Sequence, residues 1–139
     1  MKIIAQNKKA YHEYEILEKF EAGLVLNGTE IKSIRNGRVN LSGTFCRIQN
    51  NELWVLNLHI ASTLEPERTR KLLVHKSEIK SLIGKTQQKG LTLIPLSLYI
   101  KKGKAKLEIA LVRGKKIHDQ RETIKKRDTK RQVQRELSE

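Results

Sequence analysis

Apolar residues recur along the chain up to Val112 with two different periods, and each change of period marks an element. From Tyr14, "YEILEKFEAGLVLNG" is rich in apolar and aromatic residues and ends at Asn27-Gly28, a strong turn signal, so it reads as a strand. "GTEIKSIRNGR" spaces Ile31 and Ile34 three apart and stops at Asn36-Gly37. It predicts one short helix with Thr29 as N-cap, both isoleucines turned inward, and Glu30, Lys32 and Arg35 at the flanks. Phe45 to Ile48 and Leu53 to Ile60 follow as two strands, joined by the polar loop Gln49-Asn50-Asn51-Glu52. In the second of them Leu56, Leu58 and Ile60 alternate with Asn57 and His59, and Trp54 and Leu56 are assigned to the core.

"STLEPERT" reads as a loop. "KSEIKSLIGKTQQKG" reads as a helix capped by Ser77, with Ile79, Leu82 and Ile83 as its buried face, an expected break at Gly84 and a stop at Gly90. "LTLIPLSLYIKKGKAKLEIALV" is the clearest hairpin: Leu96, Leu98 and Ile100 alternate outward, Lys101-Lys102-Gly103 turns, and Leu107, Ile109 and Leu111 alternate back. Pro95 has no N–H for a ladder, which predicts a strand start or an edge. The pattern as a whole is mainly β with two or three helices. It fits an OB-like small antiparallel β-barrel.

After Gly114 the alternation stops. "RETIKKRDTKRQVQREL" (Arg121 to Leu137) consists of helix formers, yet Ile124, Val133 and Leu137 are its only sizeable apolar side chains. A helix of about 20 residues with so little to bury is marginal in water. Its Glu122–Lys126 and Asp128–Arg131 pairs add about 0.2–0.5 kcal/mol each. The expectation is a tail that is disordered when free and helical once phosphates neutralise its cations. Residues 1–114 then form the OB-like barrel and 115–139 a basic C-terminal tail.

Charge gives the pattern a partner. The 139 residues hold 29 Lys and Arg against 15 Asp and Glu, a formal +14. From Arg113 to Glu139 there are ten basic and five acidic residues, so the preceding part is basic as well, with nineteen against ten. A field of this sign concentrates polyanions around both body and tail. No apolar run approaches the ~18 residues that span a bilayer, and the start has only Ile3-Ile4-Ala5 as an apolar patch, which predicts neither a membrane span nor a signal peptide. Cys46 is the only cysteine and suits a reducing cytoplasm; in a strand it reads as packing.

No catalytic set is visible. His12, His59, His75 and His118 are scattered, zinc-ligand spacing is lacking, and "RGKK" at Arg113 to Lys116 is not a phosphate loop. The expectation is no enzyme, no metal and no cofactor. His59 reads as a hydrogen-bonded surface histidine. Glu30, an acid among cations, either orients Lys32 and Arg35 or accepts from a base amine or a ribose 2′-OH.

Four stretches together resemble the small protein B (SmpB) family, the protein partner of transfer-messenger RNA (tmRNA) in bacterial ribosome rescue. They are "NKKAYHEYEILEKFEAGLVLNGTEIKSIRNGRVNL", "RKLLVHKSEI", "KGLTLIPLSLYIKKGKAKLEIALVRGKK" and "RETIKKR". The resemblance implies an OB-like barrel that binds the elbow of the tRNA-like domain of tmRNA, promotes its charging with alanine and carries it to ribosomes stalled without a stop codon. It implies a cytoplasmic monomer that is not an enzyme, with small-subunit ribosomal RNA at the decoding centre as second partner.

By the same resemblance, Glu30, Lys32 and Arg35, with Asn40 beside them, are RNA contacts. Lys8, Lys9, Lys89, Gly90, Leu91, Lys115 and Lys116 flank the same surface. The tail would lie in the decoding centre and the empty mRNA channel, using His118, Asp119, Arg121, Lys125, Lys126, Arg127, Lys130 and Arg131. Gln120 stands where the family usually has Lys, and "STLEPERT" is shorter than the family's usual loop, so the contributions of both are expected to be weak. The alternative from charge and fold alone is a ribosomal protein or an initiation-factor-like OB module.

Overall fold

A computed structural model describes residues 1–114. The expectations for Lys115, Lys116 and the rest of the tail lie outside the described residues. The elements in chain order are β1 (Lys2–Gln6), α1 (Ala10–Glu13), β2 (Tyr14–Leu24), α2 (Gly28–Arg35), β3 (Val39–Asn40), β4 (Phe45–Gln49), β5 (Glu52–Leu56), β6 (His59–Ile60), β7 (Arg70–Leu73), α3 (Lys76–Thr86), β8 (Leu91–Lys101) and β9 (Lys104–Gly114). The fold is mainly β with three helices.

Seven strands form one antiparallel sheet in the order β1-β8-β4-β5-β7-β2-β9, and β8 also pairs with β9. That last pairing curls six of the strands into a ring, with β1 attached outside it. The seams are uneven. β2–β9 runs from Tyr14 opposite Gly114 to Gly23 opposite Lys106, whereas β4 meets β8 through Cys46 and Leu93 alone. The result is OB-like, though not a regular barrel. β3 and β6 make a separate small ladder, Val39 opposite Ile60 and Asn40 opposite His59.

Tight turns set the registers. Lys101 faces Lys104, leaving Lys102-Gly103 as a two-residue turn with φ of 52° and 77°. Gln49 faces Glu52 across Asn50-Asn51, with φ of 54° and 59°. Positive φ at both central positions is the mark of the turn whose twist matches paired strands, and Gly and Asn tolerate it best.

The main core fills the ring with Leu53, Val55, Leu58, Ile60, Leu72, Leu93, Leu98, Leu107 and Ile109, all buried, and Ile34 from α2. Burying each such side chain stabilises the fold by about 1.5–3 kcal/mol. Ala10 of α1 covers a second cluster, Ile94, Leu96, Ala110 and Val112, on the outside of the β8–β9 hairpin. Cys46 is buried in the main core, as expected.

Several local expectations are corrected. The strand drawn from Leu53 to Ile60 is two, because Asn57 at φ 62° reverses the chain's phase. Leu53 and Val55 therefore point inward, and Trp54 and Leu56 are half-buried rather than core. Asn27, not Thr29, caps α2, and Ile31 is only half-buried. Helix α3 is preceded by His75 without a side-chain cap, runs unbroken through Gly84, and ends at Thr86 rather than Gly90. Leu82 is its one buried residue, with Ile79 and Ile83 half-buried.

Pro95 lies in mid-strand, not at a start or edge. It precedes a bulge before Ser97, between the part of β8 that pairs with β4 and the part that pairs with β1. β8 changes neighbours there, so the missing N–H interrupts neither ladder.

Candidate nucleic-acid interface

Helix α2 is anchored by its own first turn. The Asn27 side chain accepts from the Glu30 N–H at 2.9 Å, and Glu30 Oε1 accepts from the Asn27 N–H at 3.0 Å, a reciprocal capping box. The same carboxylate turns inward and is 1% exposed, so Glu30 does not stand on the helix flank as expected. Arg68 grips it with two prongs, Nε to Oε2 at 2.8 Å and Nη2 to Oε1 at 2.6 Å. Arg70 adds Nε to Oε2 at 2.6 Å. Four N–H groups thus converge on one carboxylate.

Arg70 is itself completely buried. Its Nη1 donates to the carbonyls of Leu58 (2.7 Å) and Arg68 (3.2 Å), and its Nη2 to those of Glu65 (3.3 Å) and Pro66 (3.1 Å). With Nε on Glu30, all five guanidinium N–H donors have an acceptor. A buried ion pair is tolerable only when its remaining donors and acceptors are satisfied in this way. Burial pushes the Glu30 carboxyl up, but the bonds from Arg68, the Asn27 N–H and Arg70 together outweigh it, and the group titrates below its usual range. The network ties the start of α2, the Ser62–Thr69 loop and β7 into one body. The short loop thus has a structural role of its own, supplying acceptor carbonyls and Arg68.

With Glu30 turned in, α2 presents Lys32 and Arg35 to solvent. Arg38, just beyond, is exposed and its Nη1 donates to Ser62 Oγ at 3.2 Å. Asn40 is exposed, but its side-chain oxygen already accepts the Ser42 N–H at 2.8 Å and so shapes the turn that follows. His59, opposite Asn40, bonds Glu67 at 3.1 Å, the surface role expected of it.

Lys8 and Lys9 are exposed at the start of α1. Lys9 borders a hollow of about 430 Å³ together with Asn7, Ser42, Gly43 and Thr44, which brings it to the turn that Asn40 shapes. Lys89 and Gly90 are exposed, Gly90 at φ +85°, and Leu91 is half-buried opposite Arg113. Gly114 lies opposite Tyr14. The Lys89–Leu91 turn, the start of β2 and the end of β9 at Gly114 therefore meet at one end of the barrel. Helix α2 follows the other end of β2, eleven residues and about 34 Å along the strand.

Sequence reasoning missed Arg68 and Arg70 as members of this site. Arg68 in the loop and Arg70 at the start of β7 carry no local sign of that role, whereas the Asn-x-x-Glu spacing of Asn27 and Glu30 was a legible capping box. Among the described residues no group of three His, Cys, Asp or Glu is arranged to hold a metal ion. No described helix is long and apolar enough to cross a membrane.

Fold and charge together define a small basic barrel protein of the OB type, with exposed cations suited to a polyanion. The SmpB protein family model matches residues 4–139. SsrA-binding protein of Carboxydothermus hydrogenoformans is 57% identical over 98% of this chain and 96% of its own length. The SsrA-binding protein of Halalkalibacterium halodurans is 56% identical over 99% and 94%. A chain from the solved structure described as "tmRNA-SmpB: a journey to the center of the bacterial ribosome" is 48% identical, with a TM-score of 0.68 over 80% of this chain and 83% of its own. The chain belongs to the SmpB family.

Proposed function

We propose that the chain binds tmRNA, the SsrA RNA, through its tRNA-like domain and acts with it in trans-translation. It promotes alanylation of that RNA, delivers it to stalled ribosomes, and places residues 115–139 in the decoding centre and mRNA channel of non-stop ribosomes. The observation that carries this reading is the extent of the match. Proteins named for SsrA binding are 54–57% identical over 96–99% of this chain, tail included. The relatives are named for SsrA binding and not for a ribosomal or initiation-factor role, which sets that alternative aside.

Residues 1–114 are the RNA-binding barrel in this reading, and 115–139 the ribosome-directed tail. Lys32 and Arg35 contact phosphate from α2, joined by Lys8, Lys9, Asn40, Lys89, Gly90, Leu91, Lys115 and Lys116. Glu30 is a positioning residue, holding α2 from beneath. His118, Asp119, Arg121, Lys125, Lys126, Arg127, Lys130 and Arg131 serve the ribosome. The protein works as a cytoplasmic monomer and performs no chemistry of its own. The test is reconstituted translation of a message without a stop codon in the presence of alanyl-tmRNA. Transfer of the stalled peptide to that RNA should require this protein; transfer at the same rate without it would refute the reading.

A further inference from the structure

The outer face of strands β4, β5 and β7 carries a row of side chains that the reading above leaves unused. Arg47 is opposite Trp54, and Trp54 is opposite Lys71, on three neighbouring strands. Side chains at such paired positions stand about 5 Å apart on one face. Their sequence neighbours Cys46, Leu53, Val55 and Leu72 point into the core, so this face looks outward.

Trp54 is half-buried, and its indole N–H donates to the Gln49 carbonyl at 3.4 Å. It borders a shallow hollow of about 290 Å³ with Arg47, Gln49, Asn50, Leu56 and Thr69. Only Trp54 and Leu56 are apolar there, which is too little for a protein partner's core contact. Arg47 reaches over the Phe45 ring at 5.9 Å and, among the described residues, enters no ion pair. Lys71 on the other side is neutralised by Glu52. The hollow thus has an aromatic floor and one side of net positive charge. Arg47 also borders the hollow that contains Leu91, so this face adjoins the end of the barrel where the described chain stops.

We propose that this row is a stacking site for an unpaired RNA base: the base lies on Trp54, and Arg47 holds the phosphate beside it. Aromatic stacking beside a cation is how β-barrel surfaces take single strands without reading sequence, because every base has a π-face. The Lys71–Glu52 pair carries no net charge, so the strand's phosphates follow the Arg47 side. The site does not depend on which RNA supplies the base.

Trp54 is the only tryptophan in the chain, so its emission reports on this site alone. The full chain would be titrated with a single-stranded oligonucleotide of about eight nucleotides, and with a duplex of the same sequence, since only the former offers free base faces. Saturable quenching by the single strand, and far less by the duplex, is expected. Trp54→Ala should weaken binding of the labelled single strand at least about fivefold and Trp54→Phe less, while Arg47→Ala should flatten its salt dependence. Unchanged emission at saturating oligonucleotide would overturn the proposal; that readout uses the unaltered chain and holds even if Trp54→Ala fails to fold. Trp54→Ala affinity for the tRNA-like domain and for the small ribosomal subunit then locates the base, loss on either supporting the site and loss on neither overturning it.

Discussion

Glu30 Oε2 and Arg70 Nε meet at 2.6 Å with neither side chain more than 1% exposed. The contact joins residues forty positions apart and holds the first turn of α2 against β7. Removing one member leaves the other charged, buried and without its partner. Arg70→Ala should therefore destabilise the fold by about 3–5 kcal/mol. Arg68→Ala should cost less, because Arg68 is about one-third exposed and water can replace part of its contact. Denaturant unfolding of the two variants checks the order.

The same contact predicts what Glu30 does for RNA. Glu30→Ala adds one unit of positive charge, which by itself favours a polyanion, but it frees the start of α2. The expected outcome is weaker binding to the tRNA-like domain, measured under conditions where the variant remains folded. Tighter binding would show that charge, and not the placement of Lys32 and Arg35, governs the interface.

Acid stability follows from the direction of the Glu30 shift. Its carboxyl titrates below the usual value of 4.5 in the folded chain, so the unfolded chain binds more protons between the two values. Its stabilisation is fully present above the unfolded value and is lost as pH falls through the folded one. Glu21 is also lowered, first by its bond from Tyr99. The denaturant midpoint should fall on acidification through this window, and less steeply in Glu30→Gln; an identical pH dependence in the two proteins would contradict the assignment.

Much of this fold was legible because short-range signals agreed with it. The β8–β9 hairpin, the Asn50-Asn51 turn and the core face of α2 at Ile34 follow from alternation, turn chemistry and helical spacing. The exception is Leu96, which the bulge between Pro95 and Ser97 puts in the outer cluster rather than on the core face of Leu98 and Ile100. The misplacements came where one residue acts against its surroundings. Asn57 at positive φ shifts the phase of a continuous apolar run, and Pro95 fits mid-strand only because β8 exchanges neighbours beside it. The Glu30–Arg68–Arg70 network was not legible for another reason. Its partners are brought together by the closing of the sheet, and a buried acid beside two basic residues has the same local sequence as an exposed one.

Lys32 and Arg35 separate surface charge from support. Both are exposed, so replacing either by Ala should change stability by less than about 0.5 kcal/mol. If each neutralises one phosphate, the dependence of log affinity on log salt should flatten by about 0.7–0.9 per residue. An unchanged slope would remove that residue from the interface.

Truncation after Lys116 separates binding from rescue. The body keeps most of the basic residues, nineteen before Arg113, so affinity for the tRNA-like domain should survive largely intact while peptide transfer on stalled ribosomes is lost. Loss of high-affinity RNA binding on truncation would show that the tail is part of the primary RNA site.

The central claim is selective recognition of tmRNA, and the most direct measurement is affinity for its tRNA-like domain beside an ordinary tRNA across a salt series. Binding through phosphates alone falls steeply with salt for both RNAs and prefers neither. A preference for the tRNA-like domain that persists as salt rises is the predicted result. Equal affinities that collapse together would contradict it and leave a basic barrel that binds folded RNA without selection.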